Sequence, residues 1–124
     1  MAENVVSGAN DAVYINVDEA LKRVMNNGKL FAKLLAKFKT ENTYLLTDTI
    51  AFVRAGDYEK AKTPIHTLKG IAANLSLMEL YKQTLEYEAQ IKGAAVQPDT
   101  ETLIQKCLAE TLVLIDGVIE HYAG

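Results

Sequence analysis

Helix breakers, thiols and an excess of positive charge are all scarce in this chain. Seven glycines and two prolines among 124 residues leave long stretches uninterrupted, which favours helices. The single cysteine, Cys107, excludes an intramolecular disulfide, and with two well-separated histidines it offers no zinc set, so no bound metal is expected. Cys107 is expected to pack as a small apolar residue. Thirteen basic against sixteen acidic residues give a net charge of −3, which argues against a broad nucleic-acid footprint. No apolar run approaches the ~20 residues that span a bilayer. The opening Met1-Ala2-Glu3-Asn4 has neither a basic leader nor an apolar core. No membrane partner is expected, and the chain reads as cytoplasmic.

What is present is enough apolar material, 49% of residues, for one hydrophobic core. There are no repeats and no low-complexity stretch. Residues 1–12 are small and polar and are expected to be flexible, with residues 13–124 forming one helical domain.

The apolar spacing divides that domain. Asn16 followed by Val17, Asp18 and Glu19 has the form of a capped helix start with acids in the first turn, and Asn26-Asn27-Gly28 is expected to end that short helix. From Lys29 to Ala55 no proline or glycine intervenes. Phe31, Phe38, Leu45 and Phe52 recur there every seven residues, a helical period with room for a bend at the polar run Lys39–Thr43. Asp57 can cap a third segment reaching about Leu75, with Ala61, Ile65, Leu68, Ala72 and Leu75 as its buried stripe. Pro64 would remove a hydrogen bond to the Lys60 carbonyl at about 3 kcal/mol, so a kinked continuous helix is expected, the alternative being a fresh start capped by Thr63. A fourth helix opens at Ser76 or Leu77 and ends before Gly93. A fifth, capped by Asp99 or Thr100, carries the seam Ile104, Leu108, Leu112, Ile115, Ile119 and Tyr122. The fold class that follows is all-α: an antiparallel four-helix bundle with a short extra N-terminal helix.

A bundle says nothing about chemistry. The informative face is the polar side of the third segment. At 100° per residue, Glu59, Lys62, Lys69, Gly70, Ala73 and Leu77 fall within about 60° of His66, while the apolar stripe lies opposite. An imidazole held there is a nucleophile towards phosphorus, since near neutral pH such a ring is to a large extent unprotonated. Lys69 can set an ammonium beside phosphoryl oxygens. Gly70 leaves room for a bulky group, at a cost of about 1 kcal/mol against alanine in a helix. Bland readings stand beside these. A surface His with Lys at i+3 arises by chance, Gly70 could mark close helix packing, and Ala73 and Leu77 could be scattered surface apolars.

The run Ile65-His66-Thr67-Leu68-Lys69-Gly70-Ile71-Ala72-Ala73-Asn74-Leu75 resembles the signature of histidine-containing phosphotransfer (HPt) domains, the carriers of multistep two-component phosphorelays. Asp57, Leu80 and Glu88 stand where that family has an Asp, a Leu and an acidic or amide residue. Ile15–Leu21 and Leu34–Phe38 look like its opening helices. The resemblance implies that His66 accepts the phosphoryl group, on Nε2, and that Lys69 and Gly70 support it and make space for it. It also implies that Glu88, from the next helix, bonds the other ring nitrogen or pairs with Lys69; the bland reading is a boundary carboxylate that faces solvent. The implied partners are response-regulator receiver domains and a hybrid sensor histidine kinase. The receiver would bring the metal and most of the charge stabilisation. The domain itself would be a monomeric carrier without a cofactor, and it has no Gly-rich phosphate loop to make it an autonomous kinase. Receivers are expected to dock over an apolar strip, Ala73 and Leu77, rimmed by Glu59 and Lys62. Ser76, where the family has Gly, and Pro64, two residues before the histidine, are departures that bear on partner preference. A non-catalytic helical adaptor is the alternative reading. A small-molecule enzyme ranks last, for want of a deep pocket.

Overall fold

The computed structural model describes residues 4–123. Its elements are β1 (Val5–Ser7), β2 (Val13–Asn16), α1 (Val17–Arg23), α2 (Gly28–Lys37), a π-helical turn (Phe38–Asn42), α3 (Tyr44–Arg54), α4 (Tyr58–Asn74), α5 (Met78–Lys92) and α6 (Thr100–Ala123). The α2–α3 rod, α4, α5 and α6 make the bundle. α4 packs between α3 and α5, and α6 packs on α5 and α2. Phe31, Leu35, Phe38, Ile65, Leu68, Leu80, Tyr87, Ile104 and Ile115 fill the centre, each no more than 1% exposed.

Local chemistry explains the boundaries. The Asn16 side chain accepts from the Glu19 amide, and the Asp57 side chain from the Lys60 amide, as N-caps do. Gly28 does not end α1, as its position after two asparagines suggested. α1 stops at Arg23, and Asn27 caps α2 by accepting from the Leu30 amide, so Gly28 is a first-turn residue. The long rod widens where the polar run lies. The Thr40 hydroxyl bonds back to the Ala36 carbonyl there, a contact that loosens helices and accompanies the π turn. Pro64 sits inside a continuous α4. The carbonyl it leaves without a helical donor belongs to exposed Lys60, where water can serve instead.

The fold is the expected all-α bundle, and two details differ from expectation, one at the start of the chain and one at Leu77. β1 pairs antiparallel with β2, and Ile15 bridges to Leu77, so the described part of residues 1–12 is a ribbon tied to the bundle. Residues 1–3 of that segment lie outside the described residues. The branched and aromatic run Val13-Tyr14-Ile15 suits a half-buried strand, and Tyr14 and Ile15 are buried. The second departure is at Leu77. It was placed on the His66 face by extending the helical wheel, yet it is 0% exposed. α4 ends at Asn74, and Ser76 takes a left-handed conformation (φ 54°) that turns the chain, so the 100° step no longer applies at Leu77.

Ser76 shows how a residue with a Cβ holds a turn that would suit glycine. Its hydroxyl donates to Glu19 Oε1 at 2.7 Å and accepts from the Arg23 guanidinium at 2.6 Å, and Arg23 also donates to the Asn74 carbonyl. These bonds fasten α1 to the α4–α5 turn and offset the strain of the left-handed backbone.

Candidate functional site

α4 and α5 pack along their length, and the side chains that meet at their edge form the candidate site. His66 projects from α4 with its side chain 69% exposed. One turn on, Lys69 is partly covered. Ile65, Leu68 and Ala72, on the opposite side of the helix, are fully buried and fix its rotation. From α5, Leu80, Thr84, Tyr87 and Ile91 enter the core, and Glu88 stands beside them at 3% exposure.

A buried carboxylate is costly unless paired and hydrogen-bonded. Glu88 is both. Its Oε2 lies 2.8 Å from His66 Nδ1, its Oε1 accepts from Lys69 Nζ at 2.6 Å, and Lys92 Nζ stands 3.8 Å from the same Oε1. Burial pushes the Glu88 carboxyl up, but the bonds from Lys69 and His66, with the nearby charges of Lys69 and Lys92, outweigh it and hold the group below the ordinary carboxylate value.

That ionisation state fixes the ring. A carboxylate has only acceptor sites, so Nδ1 must be the donor and carries the proton. In the neutral imidazole the lone pair is then on Nε2, for which no hydrogen bond is found among the described residues. The arrangement is therefore an oriented nitrogen nucleophile on an exposed helix face, with a buried carboxylate behind it and an ammonium beside it. Gly70 completes it: a Cβ there would meet nothing within 4 Å, so close packing inside the chain does not require the glycine.

The structure brings together His66, Lys69, Gly70 and Glu88. Glu88 makes both of the contacts considered for it and does not face solvent. Glu59, Lys62 and Ala73 lie on the α4 surface, with Lys62 donating to Glu59 at 2.7 Å. Leu77 is not part of that surface, so the strip expected for docking loses its second apolar residue. Beside Gly70 the surface is concave, a hollow of about 420 Å³ lined by Leu34, Lys37, Thr67, Ile71 and Asn74. Sequence reading missed Lys92. Its spacing, four residues after Glu88 on one helix, was the available signal.

Among the described residues no group of three or more His, Cys, Asp or Glu side chains could hold a metal ion. No helix there is long and apolar enough to cross a membrane. The Cys107 thiol is buried, pushed up to about 11 chiefly by that burial, and its neighbour Thr111 bonds back to its carbonyl. It packs as a small core residue.

Comparison with known proteins gives one match. The family model described as the Hpt domain aligns with residues 33–118, more than half of the chain and including every residue of the cluster. No curated protein and no solved structure matches the chain.

Proposed function

This chain belongs to the Hpt domain family, and from that premise we propose that it is a phosphorelay carrier whose phosphorylated residue is His66. The observation that carries the reading is the bond between His66 Nδ1 and the buried Glu88 carboxylate, which leaves the Nε2 lone pair as the ring's nucleophile.

A receiver domain with a phosphorylated aspartate docks over the exposed face of α4 and the hollow beside Gly70. The Nε2 lone pair forms the N–P bond as the P–O bond to the aspartate breaks, and that electron pair leaves on the aspartate carboxylate. The Nδ1 proton stays between ring and Glu88, so the positive charge that develops on the imidazole faces a negative group held in place beforehand. The ammonium of Lys69 balances charge on the phosphoryl oxygens. The reverse sequence hands the group to a second receiver. The donor upstream is a hybrid sensor histidine kinase, and the chain acts as a monomer and contributes no cofactor.

Incubation with phosphorylated receivers tests the proposal. Wild-type chain should gain an acid-labile, base-stable phosphoryl group, and His66→Gln should gain none while remaining folded. A folded wild-type chain that stays unlabelled by every receiver that binds it would leave only the adaptor reading.

A further inference from the structure

The cluster holds one cation, Lys92, that in the resting geometry acts on Glu88 only at a distance. Lys69 Nζ bonds Glu88 Oε1 at 2.6 Å with its side chain 21% exposed, and His66 Nδ1 takes Oε2. Lys92 Nζ stops 3.8 Å from Oε1, too far for a hydrogen bond, with its side chain 58% exposed. Lys69 and Nδ1 therefore divide the carboxylate between them. A phosphoryl group on Nε2 would stand on the other edge of the ring. A Lys69 ammonium drawn from Oε1 to the phosphoryl oxygens would leave Glu88, 3% exposed, without its closest cation.

We infer that Lys92 is a positioning residue: it closes on Glu88 Oε1 when Lys69 turns to the phosphoryl group, so that the buried carboxylate keeps a cation throughout transfer. This deepens the carrier reading and rests on it. The geometry supplies the two requirements. Lys92 is four residues after Glu88 on α5, the favourable order for a Glu–Lys pair on one helix, and a shift of about 1 Å converts its approach into a hydrogen bond. Its exposed stem is free to make that shift. In the resting state Lys69 already serves Glu88, so Lys92 matters little to the fold. During transfer it matters through the charge on Glu88 and through nothing else.

Single-turnover transfer from a phosphorylated receiver, measured across receiver concentrations, separates this role from others. Lys92→Met keeps the length of the stem and removes the charge. The maximal rate should fall several-fold with the half-saturating receiver concentration unchanged, and the melting temperature should barely move. Lys92→Arg should restore the rate. In a Glu88→Gln background, where no buried charge needs a partner, Lys92→Met should have no further effect. A change in half-saturation alone would make Lys92 a docking residue and overturn the inference. So would an equal rate loss in the Glu88→Gln background, or no loss in the Glu88 chain. If the wild-type chain takes no label, the carrier reading itself fails and this inference falls with it.

Discussion

α4 and α6 each carry a glycine four residues from a histidine, His66 and Gly70 in the first, Gly117 and His121 in the second. All four residues are exposed, and at both glycines an added Cβ would meet nothing within 4 Å. As local sequence the two pairs are close to equivalent. Their surroundings are not. His66 meets a carboxylate delivered from the neighbouring helix at 2.8 Å, with two lysines around it. His121 stacks edge-on against Tyr122 at 4.7 Å in the last turn of α6, and no ion pair of His121 is found among the described residues. What distinguishes the two histidines in this molecule is a residue on another helix, the Glu88 that meets His66.

The sharpest way to break that comparison is to exchange the histidines' roles. His66→Gln should abolish labelling by a phosphorylated receiver while still folding, and His121→Gln should leave labelling at the wild-type level with its melting temperature unchanged to within about a degree. Phosphohistidine retained in the first variant, or lost in the second, would show that the Glu88 contact does not mark the site.

Leu77 tests where the α4 face ends. Leu77→Asp puts a charge at a fully buried position and should destabilise the fold by about 3 to 5 kcal/mol, seen as a large drop in melting temperature by circular dichroism. A near-wild-type melt would return Leu77 to the surface, where the helical wheel had put it.

Glu88→Gln sharpens the comparison from the other helix. The amide can accept from Lys69 only by presenting its NH2 to His66 Nδ1, and that favours the tautomer with the proton on Nε2. Transfer should slow roughly tenfold, by analogy with lost orienting partners of other histidines. A rate within a factor of two of wild type would mean that the tautomer is not set by Glu88.

The glycines come next. Alanine at either site should stabilise by about 1 kcal/mol, raising the melting temperature by a few degrees, because an open helical position gains propensity without a clash. Only Gly70→Ala should slow transfer, since only there would the methyl group meet an incoming receiver. Equal transfer rates in the two variants would remove Gly70 from the docking surface.

The smallest effect concerns acid. Glu88 has its carboxyl held below its ordinary value of 4.5 in the folded chain, so the native state binds that proton less readily than the unfolded one. The stabilisation is complete above about pH 4.5 and fades as the pH falls through the depressed value. Melting temperature should therefore fall more steeply with acid for wild type than for Glu88→Gln. Parallel curves would mean that the pairing with Lys69 and His66 adds nothing to stability.

The far side of the bundle shows how little of such a site follows from packing alone. Between α3 and α6 an open apolar groove of about 760 Å³ runs past Leu46, Ile50, Ala51, Leu108, Ala109 and Leu112. Arg54 reaches Glu101 at 2.6 Å and Lys39 reaches Asp116 at 2.5 Å. These ion pairs are exposed and connect helices, as such pairs commonly do on surfaces, and they direct no nucleophile.

The helices were legible because burial on one side leaves a periodic mark. The α4 stripe coincides with buried residues, whereas of the α6 seam Ile104, Leu108 and Ile115 are buried, Leu112, Ile119 and Tyr122 are only partly covered, and Cys107, Thr111 and Val118 share the buried face. The caps Asn16 and Asp57 act as their side chains suggest. The ribbon was not legible, because Val5–Ser7 is too short for alternation to stand out, and its pairing with Val13–Asn16 is a long-range choice. Leu77 was misplaced because a wheel carries no information about where a helix stops, and Ser76, unlike glycine, gives no compositional warning of a left-handed turn.

The sequence by itself determined the helical class, the buried face of α4 and the exposure of His66 with Lys69 and Gly70 beside it. These depend on neighbours three and four residues apart, and the backbone's own geometry brings such neighbours together. Only the tertiary structure decided which nitrogen of His66 holds the proton, that Glu88 is shared by His66 and Lys69 with Lys92 3.8 Å away, and that Leu77 belongs to the core. Those outcomes depend on how closely α5 lies against α4 and how the chain turns at Ser76. Both are set by the packing of side chains distant in sequence, which no local pattern records.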